Sequence, residues 1–130
     1  VMNLAIILGA EIVMMFPRFN VPDALKLIKK HRITFFPAVP TIYTLICEFP
    51  DIGKYDLSSL IACLSGGAPL PGEVKRRFEG LTGCKLVEAY GLSETSPAAT
   101  GNPLYGVNKA GSIGIPFPGT IIKIMSLDDP

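Results

Sequence analysis

Tryptophan is absent from this 130-residue chain, histidine occurs once and cysteine three times. Cys47, Cys63 and Cys84 form no CxxC pair and His31 stands alone, so a thiolate or imidazole metal centre lacks ligands. Three cysteines, each in an apolar stretch, also exclude a disulfide scaffold and read as buried free thiols. Charge of one sign is missing too: twelve basic against eleven acidic side chains leave +1, which gives no bulk attraction to nucleic acid or anionic lipid. Internal repeats and low-complexity linkers are lacking. The longest apolar run, Val1 to Phe16, contains Asn3 and Glu11 and stops at Pro17. It falls short of the ~20 residues of a membrane-spanning helix. It also has no basic leader and no clear cleavage site of a signal peptide.

What is present is apolar and well punctuated. Hydrophobic residues make up 48% of the chain, which excludes disorder, and 13 glycines and 12 prolines divide them into short runs. Apolar runs alternate with helical patterns, the signature of an α/β fold with a mostly parallel sheet and flanking helices. The length suits one domain or a piece of a larger one. Beginning on Val1 inside an apolar run, residues 1–130 are expected to be one internal segment of a longer protein, with no complete second domain.

The expected elements follow in order. Met2 to Leu8 reads as a buried helix ended by Gly9, and Glu11 to Phe16 as a strand stopped by Pro17. Asn20 is the expected N-cap of a helix over Asp23 to Arg32, with Pro22 in its first turn and a basic cluster at its end. Ile33 to Phe36 reads as a strand, Thr41 to Phe49 as a helix capped by Thr41, and Leu60 to Leu64 as a third strand. A helix over Pro71 to Glu79, followed by Gly80, leads to a strand over Lys85 to Ala89. Glycine- and proline-rich turns from Gly111 lead to an edge strand over Thr120 to Ile124.

Two loops directly follow strands. Ser65-Gly66-Gly67-Ala68-Pro69 follows the third, and Tyr90-Gly91-Leu92-Ser93-Glu94-Thr95 the fourth. Parallel neighbours joined by one helix would bring both loops to the carboxyl edge, where open α/β sheets bind ligands. The minimal side chains of Gly66, Gly67 and Ala68 would let a flat ring lie against the backbone. Tyr90 would cover the other face of that ring. Ser93 and Thr95 offer hydroxyls to a phosphate, Gly91 permits close approach, and Glu94 is a carboxylate of the kind that holds Mg²⁺ beside phosphates. Taken singly, each feature has a plainer reading: a turn, a helix start with Ser93 as cap, a core aromatic.

The two loops together resemble the adenylate-forming superfamily of acyl-CoA synthetases, luciferases and peptide-synthetase adenylation domains. Phe35-Phe36-Pro37-Ala38-Val39-Pro40-Thr41 and Gly111-Ser112-Ile113-Gly114-Ile115-Pro116-Phe117-Pro118-Gly119 are similar to two further stretches of that family. The resemblance implies that Gly66, Gly67, Ala68 and Pro69 line the adenine and acyl side, and that Tyr90 stacks on adenine. It implies that Ser93, where the family usually has threonine, touches the α-phosphate, that Gly91, Leu92 and Thr95 bind the nucleotide with it, and that Glu94 binds Mg²⁺. Ser93 and Glu94 carry the catalytic role.

The approach Lys54-Tyr55-Asp56-Leu57-Ser58-Ser59-Leu60 is most similar to fatty acyl-CoA ligases. The implied activity is ATP-dependent activation of a carboxylic acid, a fatty acid in the leading reading, as acyl-adenylate, then thioester formation with coenzyme A. An amino-acid-activating adenylation domain and a non-catalytic nucleotide- or protein-binding module remain the alternatives. The family's lysine-bearing phosphate loop, ribose aspartate, hinge and small C-terminal domain have no counterpart in these residues. The segment alone is therefore expected to be inactive and, with cut sheet edges and apolar faces, to self-associate. The parent is expected in the cytoplasm, at most peripheral to a membrane.

Overall fold

The computed structural model describes residues 2–128; Val1, at the head of the N-terminal apolar run, lies outside them. After α1 (Met2–Ile7) come α2 (Val21–His31), β1 (Phe35–Ala38), α3 (Pro40–Glu48), β2 (Ala62–Ser65), α4 (Gly72–Thr82) and β3 (Lys85–Tyr90). Two short strands, β4 (Thr100–Gly101) and β5 (Ile115–Pro116), complete the order. The sheet runs β1-β2-β3-β4-β5, parallel across the first three strands and antiparallel beyond them. The expected α/β architecture with a mostly parallel sheet and flanking helices is what forms.

Local chemistry sets most boundaries. Asn20 is the N-cap of α2, its Oδ1 accepting the Asp23 N–H at 2.9 Å, as expected. The Asn20 side-chain amide also donates to the Asp23 carboxylate at 2.8 Å and, reinforced by Lys26, holds that carboxyl below its usual range. At α3 the expected Thr41 cap is not used. Pro40 takes the first helical position, where its missing N–H is harmless, so Val39 is the cap residue and Thr41 lies within the helix. Helix α4 runs past Gly80 to Thr82, because the left-handed cap falls on Gly83 (φ +69°), whose N–H bonds back to Glu79 O. The strands β1 and β2 begin about two residues later than the apolar runs that announce them.

Other expectations fail for want of a partner. Glu11 to Phe16 forms no strand. Its residues share with Phe35, Phe36 and Pro37 the lining of a hollow of about 680 Å³, so the segment does not pair with edge strand β1. Pro37 also withholds an N–H from that strand. The helix α1 forms but is not buried: Leu4 is 59% exposed and Ile7 81%. Thr120 to Ile124 is likewise not a strand, and Ile124 is exposed.

The core lies where α2, α3 and α4 meet the parallel strands. Leu25 and Ile28 of α2, Tyr43 and Ile46 of α3, Phe78 of α4, Cys63 of β2 and Leu86 of β3 are all buried there. Tyr43 meets Phe78 edge-on at 4.9 Å and Phe36 at 6.0 Å between ring centroids. All three cysteines are buried free thiols, as expected. Cys63 and Cys84 touch, sulfur to sulfur at 3.4 Å, and their hydrogen bond raises the Cys63 pKa and lowers that of Cys84. Phe78 is the only buried residue of α4 and accounts for about 2–3 kcal/mol of its attachment. The polar contacts of Lys75 and Glu79 with β3 are therefore of comparable weight.

Candidate nucleotide-binding site

Parallel register fixes where the two loops emerge. Ser65, the last residue of β2, lies opposite Ala38 on one side and Glu88 on the other, so β1, β2 and β3 end at one edge of the sheet. Gly66 continues from β2 and donates its N–H to Ala38 O at 3.3 Å. A Cβ built on Gly66 would stand 3.6 Å from the Ala89 carbonyl, which measures how closely the first loop passes the end of β3. Gly67 adopts φ +83°, a conformation that favours glycine, and a Cβ there would point at Val39. Gly67, Ala68 and Pro69 are exposed, and the loop then dives to buried Leu70, whose N–H is held by the Glu88 carboxylate at 3.0 Å.

The second loop leaves the adjacent strand at the same edge. Tyr90 ends β3 and is 42% exposed. At Gly91 an added Cβ would collide with the Pro97 carbonyl and lie 2.8 Å from Ala98 Cα, because residues 96–98 double back beneath it. Ser93–Thr95 is a 3₁₀ turn, and no α-helix starts here. Thr95 Oγ1 accepts the Leu92 N–H at 2.9 Å and itself lies 2.9 Å from Leu92 O and 3.1 Å from Pro97 O. Thr95 therefore shapes the loop. Ser93 Oγ and the Glu94 carboxylate are exposed and have no hydrogen-bond partner among the described residues.

Both loops thus leave the same end of the sheet, Gly66, Gly67, Ala68 and Pro69 on one and Tyr90 to Thr95 on the next, with Gly66 passing beside the end of β3. The second loop divides the two candidate hydroxyls, one engaged internally and one free. A lone exposed carboxylate beside a free hydroxyl fits Mg²⁺, which is bound through one or two carboxylates with phosphate and water oxygens filling its shell. Two hollows lie elsewhere, the one beside β1 and another of about 290 Å³ between Ile52–Ser58 and the end of α4. Neither is lined by residues of the two loops.

Sequence reasoning missed the residues behind the loops. Asn102 is buried and ties β3 to the segment around Lys109 and Ser112. Its N–H and its side-chain amide both reach Glu88 O, the side chain also donates to Ser112 O, and its Oδ1 accepts the Lys109 N–H. Thr100 Oγ1 donates to Ile113 O at 2.6 Å, and Gly114 packs so closely on Gly101 that no Cβ would fit. The Gly111–Gly114 turn is thereby tied to β4. The local hint is Glu88, a carboxylate set between apolar Val87 and Ala89 inside a strand.

An open α/β sheet with two loops on its carboxyl edge, one glycine-rich and one bearing a free hydroxyl and carboxylate, is of the class of α/β domains that bind ligands beyond their strand ends. More narrowly, the chain belongs to the AMP-binding enzyme family, whose model matches residues 1–130. It is 52% identical over 126 residues to a long-chain-fatty-acid–CoA ligase of Bacillus subtilis, covering 97% of this chain and 22% of that protein. Among solved structures it is similar to the anthranilate CoA ligase AuaEII in complex with anthranoyl-AMP. The TM-score is 0.85 at 28% identity, over 93% of this chain and 23% of that one. A benzoate CoA ligase from Burkholderia xenovorans also gives 0.85, at 27% identity, over 94% of this chain and 25% of its own. The chain spans about a fifth of the length of the curated relatives it matches. Among the described residues, no helix is long and apolar enough to cross a membrane.

Proposed function

We propose that residues 1–130 form one internal segment of a longer ATP-dependent ligase that joins a long-chain fatty acid to coenzyme A. The observation that supports this reading is the meeting, at one sheet edge, of the Gly66–Pro69 and Tyr90–Thr95 loops in a chain 52% identical to a ligase of that kind. In the proposed reaction a carboxylate oxygen of the acid attacks the α-phosphorus of ATP, forming acyl-adenylate and releasing pyrophosphate. The thiol of coenzyme A then displaces AMP to give the thioester. Gly66, Gly67, Ala68 and Pro69 would receive adenine and the acyl side, and Tyr90 would stack on the base. Gly91 and Leu92 would let the backbone approach the phosphate, Ser93 would hydrogen-bond to the α-phosphate, and Thr95 would fix the turn that aims it. Glu94 would hold Mg²⁺, which supplies charge stabilisation to crowded phosphate oxygens. No nucleophile or general base is needed, since positioning and charge carry such a reaction.

The same proposal places the ligase in the cytoplasm, peripheral to a membrane where long-chain acids partition. The segment alone would be inactive. It would also self-associate through exposed apolar side chains such as Ile7, Met14 and Phe16, which light scattering reads as mass above that of a monomer. The deciding experiment replaces Glu94 with Ala in the complete ligase and follows acid-dependent pyrophosphate release. A fall of roughly a hundredfold is expected. Undiminished release removes Glu94 from the reaction.

A further inference from the structure

Glu88 has no assigned role in the reaction, yet its side chain ties the end of the first loop to β3, the strand that carries the second. It is buried at 8% exposure on β3, two residues before Tyr90. A buried carboxylate needs hydrogen-bond donors to offset the loss of water, and a valine or isoleucine would suit this strand position better for packing alone. The donor it has comes from 18 residues away in sequence: Leu70 N–H, 3.0 Å from Oε1. Leu70 ends the exposed Gly66–Pro69 stretch, and the other end of that stretch is anchored by Gly66 N–H on Ala38 O. The Leu70 side chain packs into the core, and the Glu88 contact adds to that packing a fixed position for the Leu70 backbone at this end of the loop. Glu88 is itself immobilised, since its backbone carbonyl accepts both the Asn102 N–H at 2.9 Å and the Asn102 side-chain amide at 3.3 Å. The neighbouring hydroxyl in register, Ser65 Oγ, is buried and has no partner, so it does not engage the Leu70 amide.

We infer that Glu88 is a positioning residue for the adenylate. From β3 its carboxylate fixes the return leg of the first loop at Leu70 and so sets Gly66–Pro69 against Tyr90 on the same strand. The inference rests on the nucleotide reading of the two loops given above. What matters is the reach of an acceptor oxygen, not the charge. A glutamine keeps the reach and loses the charge. An aspartate keeps the charge and draws the acceptor back by one methylene. A leucine loses both.

The test uses the complete ligase as wild type and as E88Q, E88D and E88L. It measures KM for ATP and kcat in acid-dependent pyrophosphate release, together with amide hydrogen exchange at Leu70 in the protein without substrates. E88D and E88L are expected to raise KM for ATP roughly tenfold or more and to speed Leu70 exchange to a similar degree. E88Q is expected to stay within about threefold of wild type on both. Wild-type behaviour of E88D, or impairment of E88Q equal to that of E88D, overturns the proposal. Should E88L not fold, the aspartate and glutamine variants decide alone. Wild-type ligase that releases no pyrophosphate with ATP and a long-chain acid overturns the functional reading instead, and the Leu70 exchange rates then decide whether Glu88 holds the loop.

Discussion

The Glu79 carboxylate accepts the Leu86 N–H at 2.9 Å, so a helix side chain occupies a place that a neighbouring strand would otherwise fill. Lys75, one turn earlier on α4, donates to the Leu86 carbonyl and lies 3.4 Å from Glu79. The pair closes the part of β3 that two-residue β4 is too short to reach. Replacing Glu79 with Ala leaves the Leu86 N–H without a protein acceptor. A loss of about 1–3 kcal/mol in urea unfolding is expected, with a smaller loss for Glu79→Gln. Equal stability of the alanine variant would mean that water serves the amide as well.

Tyr43 ties α3 to two strands at once, its hydroxyl lying 2.7 Å from Phe36 O and 3.0 Å from Leu64 O. Tyr43→Phe keeps the edge-on packing on Phe78 and removes only the hydroxyl. Denaturant unfolding should show a loss of about 1–2 kcal/mol, and an unchanged midpoint would show the hydroxyl to be dispensable.

At Gly91 the constraint is steric. Gly91→Ala forces the Pro97 carbonyl away and with it the turn that carries Ser93 and Glu94. In the complete protein, the proposed acid-dependent pyrophosphate release should fall by roughly a hundredfold. Release at the wild-type rate would show that residues 96–98 yield freely.

Alkaline pH should destabilise the fold through buried acids that stay protonated in the native state. Burial raises the Cys47 thiol above its ordinary value, and burial raises the Tyr43 phenol well beyond its own. Below the unfolded values, about 8.5 for a thiol and 10 for a phenol, both states hold the proton and this contribution to stability is whole. As pH rises past those values the unfolded chain releases protons that the native chain keeps, and stability declines. The urea midpoint should therefore drop from about pH 8.5 upward, and Cys47→Val should flatten the first part of that drop. An identical pH profile for the variant would exclude Cys47 as a contributor.

Much of this arrangement was legible in the residues, because it is written locally. Apolar runs bounded by glycine and proline located β1, β2 and β3 to within about two residues, and Asn20 before Pro22 marked a helix start. Two glycine-bearing loops after consecutive strands located the sheet edge. What could not be read depends on partners distant in sequence. Glu11 to Phe16 has the composition of a strand but pairs with none, and Met2 to Leu8 has the composition of a core helix but no core over it. Thr41 and Gly80 are plausible helix ends that lost to Pro40 and Gly83, better suited by backbone geometry. The roles of Glu88 and Asn102 follow from contacts 14 and 18 residues apart, which no local pattern announces.

Along its outer side β3 is gripped in three successive ways: by α4 side chains at Leu86, by Asn102 at Glu88 and by the Ala99 N–H at Tyr90. With β2 bonded along the other side, the strand cannot slip by a residue without losing all three attachments together. The ring at its tip is thus aimed by a fixed rail, while the turn beyond Gly91 stands out into solvent.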